Sequence, residues 1–415
     1  MKLVIDDPGH RPVLGVQHKS VPAAFWGHSA DEVAASRPAL SQFATPIMTL
    51  DRAASDANTA VMFAWCRERG LELAPHGKTT MSPELWHRLL DAGAWGITLA
   101  TMWQVQVARA AGVPRVLLAN ELVDPVQIRW IAAELDADPA FSFACWVDSL
   151  EGVDALGASA GERPIEVLVE LGDAGGRTGA RGIEKALAVA EAAAASPRLR
   201  VRGVAGYEGS YGSDRSPATV ARVRGYLGEM RELLDVMIER NLFQGDVPLL
   251  TAGGSAWFDL VAEAFIDLPE WHATVVLRSG AFQAHDDVFY DGISPFADTS
   301  LAFRPALHAW ARVVSRPEPA LALLDAGKRD VPSDLDLPVV AQSGSYGVPG
   351  ARITQLNDQH AHLALAADST LAVGDTVRLG ISHPCTAFDK WRLIPEIDDA
   401  DADEPQVIGF IETWF

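Results

Sequence analysis

Cysteine is scarce in this 415-residue chain, which holds only Cys66, Cys145 and Cys385. They lie far apart and one must remain odd, which argues against a disulfide framework and fits a reducing compartment. Positive charge is short as well. Only 34 Lys and Arg stand against 55 Asp and Glu, a formal net charge of -21, so a polyanion would be repelled over most of the surface and nucleic acid is not an expected partner. No apolar run approaches the roughly 18 residues that span a bilayer, and Met1-Lys2-Leu3-Val4-Ile5-Asp6-Asp7 reaches charge too early for a secretory leader. The expectation is a soluble cytoplasmic protein with no membrane partner. No Gly-x-Gly-x-x-Gly turn follows the opening strand, which argues against a doubly wound dinucleotide-binding sheet, and no repeat of fixed period is visible beyond a βα rhythm.

Apolar residues make up 48% of the chain, ample for a core. The length exceeds one ordinary domain but suits a barrel of about 250 residues with an appended domain. Residues 1–44 alternate Pro, Gly and short apolar pieces and read as an arm packed on the second domain. Pro46 to Leu50 reads as a strand, and Asp51 caps a helix whose Ala54, Ala57, Val61 and Trp65 recur at helical spacing. Strand-like runs then follow at 71–74, 96–100, 116–119, 141–147, 165–171, 201–207, 248–251 and 274–277, most of them separated by Ala- or Leu-rich amphipathic segments. Eight such strands alternating with helices predict an α/β fold, a (β/α)8 TIM barrel over residues 45–293. After Ser294 the helical period is lost. Short runs at 309–314, 321–325, 337–340, 362–365, 376–380 and 407–411, broken by Gly, Pro and Asp, predict a mostly β domain over 294–415. The Asp-rich stretch from Glu396 to Glu404 reads as a solvated loop.

Barrel enzymes place chemistry at the C-terminal ends of their strands. Pro75-His76-Gly77-Lys78-Thr79 ends one such run. A lysine there loses its proton readily if buried beside another cation such as His76 and can form a Schiff base, or it snorkels from the barrel mouth. Gly172 to Gly179 sets Arg177 among glycines, as an oxyanion partner or as a solvent-facing residue of a turn. Tyr207 and Glu208 leave another strand together. Gly253, Gly254 and Ser255 open a strand-to-helix turn that is either a phosphate cradle or a plain turn, and Arg278, Ser279 and Gly280 end the last run, followed by His285 and Asp286. One lysine, two arginines, a tyrosine and two glycine-hydroxyl turns suit a phosphorylated aldehyde cofactor.

These motifs, Pro-His-Gly-Lys-Thr at 75–79, Gly-Arg-Thr-Gly at 176–179, Tyr-Glu-Gly at 207–209 and Arg-Ser-Gly at 278–280, resemble the pyridoxal phosphate enzymes with an alanine-racemase-like barrel. Within them the chain looks most like the D-serine dehydratase and D-threonine aldolase branch. His383 and Cys385 lie at i and i+2, where an extended segment would turn both to one side. Imidazole plus thiolate suits zinc or a similar borderline metal, although such spacing also arises by chance. The dehydratase-like members carry His-x-Cys near the C-terminus where the aldolases carry His-x-Asp.

The resemblance implies pyridoxal 5'-phosphate on Lys78, which then serves as general base, with His76 beside it. It further implies Arg177 at the phenolic oxygen, Tyr207 or Arg278 at the pyridine nitrogen, and Gly253, Gly254, Ser255, Ser279 and Gly280 at the phosphate. A divalent metal, zinc or else manganese or magnesium, on His383 and Cys385 would bind the β-hydroxyl of a small D-amino acid. The implied activity is dehydration of D-serine, D-threonine or 3-hydroxy-D-aspartate to a keto acid and ammonia. The alternatives are retro-aldol cleavage to glycine and an aldehyde, racemisation, or a non-catalytic pyridoxal phosphate carrier. A homodimer with shared active sites is implied too.

Overall fold

The computed structural model describes residues 12–159, 161–244, 247–269 and 271–415. The chain forms two compact units. One takes in Met62–Lys78 and Trp86–Gly280, the other the described residues up to Val61 together with Thr79–Leu85 and Ala281–Phe415.

Strand β1 (Ile47–Asp51) belongs to the second unit. The first is built on β2 (Glu72–Leu73), β3 (Ile97–Leu99), β4 (Arg115–Glu121), β5 (Ser142–Val147), β6 (Ile165–Gly172), a short β7 (Ala180–Arg181) beside β6, β8 (Leu199–Gly206), β9 (Leu249–Ala252) and β10 (Thr274–Leu277). Apart from β7, these pair in parallel in the order β2-β10-β9-β8-β6-β5-β4-β3. A parallel bridge between His76 and Thr98 joins the two ends, with Gly77 N–H donating to Thr98 O at 2.8 Å and Thr98 N–H to Pro75 O at 3.0 Å. Eight parallel strands therefore close into the expected (β/α) barrel. Ala74, Leu117, Ala144, Trp146, Leu168, Ala205, Leu249 and Val276, contributed by β4, β5, β6, β8, β9, β10 and the segment after β2, pack together as one buried apolar cluster. Helices separate the strands because the connections carry their own start signals: Asp124 caps Pro125–Ala137 with proline in the first turn, and Ser216 caps Pro217–Glu239 in the same way.

The second unit is a mostly β domain of β11 (Leu307–Glu318), β12 (Leu321–Leu324), β13 (Val339–Val340), β14 (Arg352–Leu356), β15 (Ala361–Ala364), β16 (Thr376–Gly380), β17 (Leu393–Ile397) and β18 (Val407–Glu412). The path β14-β15-β12-β11-β1-β17-β18 carries β13 and β16 alongside. Leu14, Val21, Val33, Leu40 and Phe43 of the N-terminal segment pack with Trp310, Leu393, Val407 and Phe410. Residues 1–11 of the expected arm lie outside the described residues.

Domain boundaries differ from those expected at 45 and 293. Strand β1 pairs antiparallel with β11 and parallel with β17, not with the barrel, and all five of its residues are buried. A strand buried on both faces carries an uninterrupted apolar run, which suits either sheet, so its partner is not encoded locally. The barrel unit ends at Gly280, and the Phe289–Ile293 helix lies in the second unit. Glu396, read as the start of a solvated loop, is the fourth residue of β17 and only 1% exposed. Its carboxylate is held by the Arg52 fork at 2.7 and 2.6 Å. Such a bidentate pair lets an acid sit in a core strand. Removing one partner leaves the other charge buried, so Arg52→Leu lowers the unfolding free energy by about 3 kcal/mol in chemical denaturation, whereas Arg52→Lys recovers part of that loss.

Candidate active site

A cavity of about 160 Å3 opens among the C-terminal strand ends of the barrel unit. His76 and Lys78 reach it from the segment after β2, Asn120 from β4, Trp146 from β5, Arg177 and Thr178 from the loop after β6, Tyr207 from the end of β8, Gly254 from the turn after β9 and Arg278 from the end of β10. Six of the expected cofactor residues thus meet around one space. Gly253, Ser255, Ser279 and Gly280 are not among the residues lining it.

The expected cationic His76 is corrected. Burial, reinforced by the charges of Lys78, Arg278 and Arg177, holds its pKa well below the ordinary imidazole range, so the ring is neutral, and its buried Nδ1 has no hydrogen-bond partner. Positive charge around the ring comes instead from the lysine and the two guanidinium groups. Arg278 is 4% exposed and built into the barrel: it donates to Thr251 Oγ1 at 2.8 Å and Gly206 O at 2.6 Å and lies 5.0 Å from the Trp146 ring centroid. Burial lowers its pKa, against the opposing pull of Glu208, Tyr226 and Glu170. Arg177 is stacked over the Tyr207 ring at 4.9 Å.

The glycine turn after β9 holds an anion already. Tyr207 and Glu208 leave β8 together but diverge, Tyr207 to the cavity and Glu208 inward, where it is fully buried. The Glu208 carboxylate accepts from Gly254 N–H at 2.6 Å and Gly253 N–H at 3.2 Å, and Gly253 adopts φ +92°. Ser279 Oγ donates to Gly253 O at 2.9 Å. Gly280 backs onto the lysine-bearing segment so closely that a Cβ there would lie 2.5 Å from His76 O. An amine, a flat neutral imidazole, an indole wall, two guanidinium groups and an anion-holding turn fit pyridoxal phosphate, with the turn's N–H groups shared with Glu208.

His383 and Cys385 are together in the second unit, by a route other than the expected extended strand. His383 takes φ +129°, a conformation rare for a residue with a side chain, and Cys385 opens a short helix to Phe388. Asp334 accepts at 2.6 Å from His383 Nδ1 and at 2.5 Å from Thr386 Oγ1. Burial alone would depress the His383 pKa, but its hydrogen bond to Cys385 and the charges of Cys385 and Asp334 raise it to about 9. Thr79 Oγ1 lies 3.1 Å from Cys385 Sγ. An imidazole fixed at Nδ1 by a carboxylate presents Nε2 to a ligand, so this donor set fits a borderline divalent metal. Asp334 could not be read from sequence because it lies 49 residues before His383 with no motif linking them. Asn120 and Trp146 were missed for the same reason, since only barrel register brings them to the cavity.

Two family models match the chain in succession, the alanine racemase N-terminal domain over residues 50–250 and the serine dehydratase domain over residues 306–397. The chain thus carries an alanine racemase N-terminal domain followed by a serine dehydratase domain, and its fold matches the alanine-racemase-like pyridoxal phosphate enzymes. It is 26% identical over 351 residues to D-threonine aldolase of Arthrobacter sp, covering 84% of this chain and 88% of that protein. It is 25% identical over 397 residues to D-threo-3-hydroxyaspartate dehydratase of Delftia sp. (strain HT23), covering 89% and 96%. Its relatives also include 3-hydroxy-D-aspartate aldolases of Paracoccus denitrificans. Among solved structures, D-threonine aldolase from Filomicrobium marinum matches the fold with a TM-score of 0.76 at 23% identity, covering 91% of this chain and 97% of that one. Because Gly280 abuts backbone rather than a movable side chain, Gly280→Ala costs about 1–3 kcal/mol of stability and weakens the absorbance gained on adding pyridoxal phosphate, both read in one thermal and spectral titration.

Proposed function

We propose that the protein is a pyridoxal phosphate- and metal-dependent lyase that dehydrates a β-hydroxy-D-amino acid of the D-serine, D-threonine or 3-hydroxy-D-aspartate type to a keto acid and ammonia. The observation that carries this reading is the His383–Cys385 pair, with Asp334 holding the imidazole at 2.6 Å and Thr79 Oγ1 lying 3.1 Å from the thiol. Bound pyridoxal phosphate supplies an electron sink for the Cα carbanion, and a divalent metal, zinc by donor type with manganese or magnesium as alternatives, supplies a Lewis acid for the β-hydroxyl. In this reading Lys78 holds the cofactor and takes the proton from Cα as general base. Arg177 contacts the phenolic oxygen, and Tyr207 or Arg278 faces the pyridine nitrogen. A neutral phenol and a fixed cation both leave that nitrogen unprotonated, so more of the barrier falls on the leaving group at Cβ. Gly253, Gly254, Ser255, Ser279 and Gly280 serve the phosphate end. The Gly253 and Gly254 N–H groups are taken by the Glu208 carboxylate, so a phosphate there would have to compete with it for those two donors. A homodimer with shared sites, working in the cytoplasm, completes the reading on the strength of the resemblance.

Retro-aldol cleavage to glycine and an aldehyde is the second reading. It is favoured by the D-threonine and 3-hydroxy-D-aspartate aldolases among the relatives. The two differ in which bond to Cβ breaks, and therefore in product. A screen of β-hydroxy-D-amino acids is expected to release keto acid and ammonia in equal amounts, with turnover stopped by chelation and by Cys385→Ala. Glycine and an aldehyde as the products would select the aldolase, and unchanged turnover after both treatments would exclude a catalytic metal on this pair.

A further inference from the structure

Three carboxylates meet at the ends of β4, β5 and β6. In register, Glu121 is level with Trp146 and Trp146 with Leu168, and both Trp146 and Leu168 belong to the barrel's buried apolar cluster. Asp148 and Glu170 lie two residues beyond those positions, so the pleat brings them to the same face one layer nearer the mouth. Ligand oxygen atoms of Glu121, Asp148 and Glu170 all lie within 4.8 Å of one another.

Proximity of acids alone would carry little. Glu170, however, is 2% exposed, and its Oε2 has no hydrogen-bond partner; Oε1 of Glu121 is likewise buried and unpartnered. Asp148 accepts from Gly179 N–H at 3.0 Å. Among the described residues no Lys or Arg forms an ion pair with any of the three; the buried Arg278 feels the charge of Glu170 but donates to Thr251 and Gly206. Buried carboxylate oxygens without donors are costly, so something must meet them. A proton shared between Glu121 and Glu170 answers part of the cost, since burial and Glu170 push the Glu121 pKa up to about 9. A divalent cation would instead meet the oxygens of both glutamates and of Asp148 together, since one ligand oxygen of each lies within 4.8 Å of the others. The buried hydroxyl of Thr178 also lacks a partner, and with Glu170 it lines a small cavity of about 10 Å3, room for one water-sized occupant. Arg177 lines that cavity too but is stacked on Tyr207.

We propose that Glu121, Asp148 and Glu170 bind one hard divalent cation of the Ca2+ or Mg2+ kind, at a site made of residues other than His383 and Cys385. The donor set is oxygen only, which selects such ions over zinc or copper. The ion would satisfy the orphaned carboxylate oxygens and cancel the negative charge of this acid cluster, whatever reaction the cavity serves.

Terbium(III), a hard oxygen-seeking ion excited through nearby indole, is the probe, and Trp146 lies level with Glu121 on the neighbouring strand. The host protein carries His383→Ala, which removes the other candidate metal site. Titration is expected to give saturable sensitised emission that Ca2+ displaces, with at least tenfold weaker binding in Glu170→Gln. Ca2+ should also raise the melting temperature of the parent and leave that of Glu170→Gln unmoved. If Glu170→Gln fails to fold, Asp148→Asn is read in its place. No saturable emission, or equal Tb3+ affinity in parent and variant, overturns the proposal and leaves an acid cluster that only shares protons.

Discussion

Barrel closure through three residues is the constraint on which the site depends. β2 is only two residues long, and the ring is completed beyond it, where Pro75, His76 and Gly77 bond with Thr98. That seam leaves no room for side chains at its glycines. A Cβ on Gly77 would lie 2.5 Å from Trp86 Nε1, and Trp86 itself donates to Gly77 O at 3.1 Å. Gly280 abuts the other side of the same segment. The lysine that follows is therefore presented by backbone fixed on both flanks, which is the preorganisation that a covalent cofactor site needs.

Charge of both signs lies around that lysine. Lys78, Arg177 and Arg278 face the cavity with a neutral His76 among them, while Glu121, Asp148 and Glu170 form a negative cluster and Glu208 fills the glycine turn. A cationic cavity attracts an anionic cofactor and an amino-acid carboxylate, and acids such as Glu208 and Glu170 offset the cost of burying Arg278. In the second unit a separate polar group, Asp334, His383, Thr386 and Cys385, is packed against Phe289 and Tyr290.

Much of this was legible in the sequence, for identifiable reasons. The barrel strands showed because parallel strands are continuous apolar runs bounded by turn residues, and the lysine, arginine and glycine motifs showed because they are contiguous. Strand β1 was legible as a strand but not as a member of the second sheet, since burial on both faces erases the pattern that would name its partner. Glu396 misled because the guanidinium that pairs with it in the core strand, that of Arg52, is 344 residues away. Asp334, Asn120 and Trp146 were invisible for the same reason: register and folding, not spacing, bring them to their sites. The neutrality of His76 also could not be read locally, as it follows from desolvation of the ring beside three cations brought together by the fold.

The account rests on Lys78 being the residue that carries the cofactor. Reduction of the protein with borohydride in the presence of pyridoxal phosphate, followed by proteolysis and mass spectrometry, tests this directly. The predicted result is a single stable pyridoxyl adduct on the peptide containing Lys78, at one equivalent per chain. An adduct on Lys185, Lys328 or Lys390 instead, or scattered substoichiometric labelling with Lys78 unmodified, would contradict it.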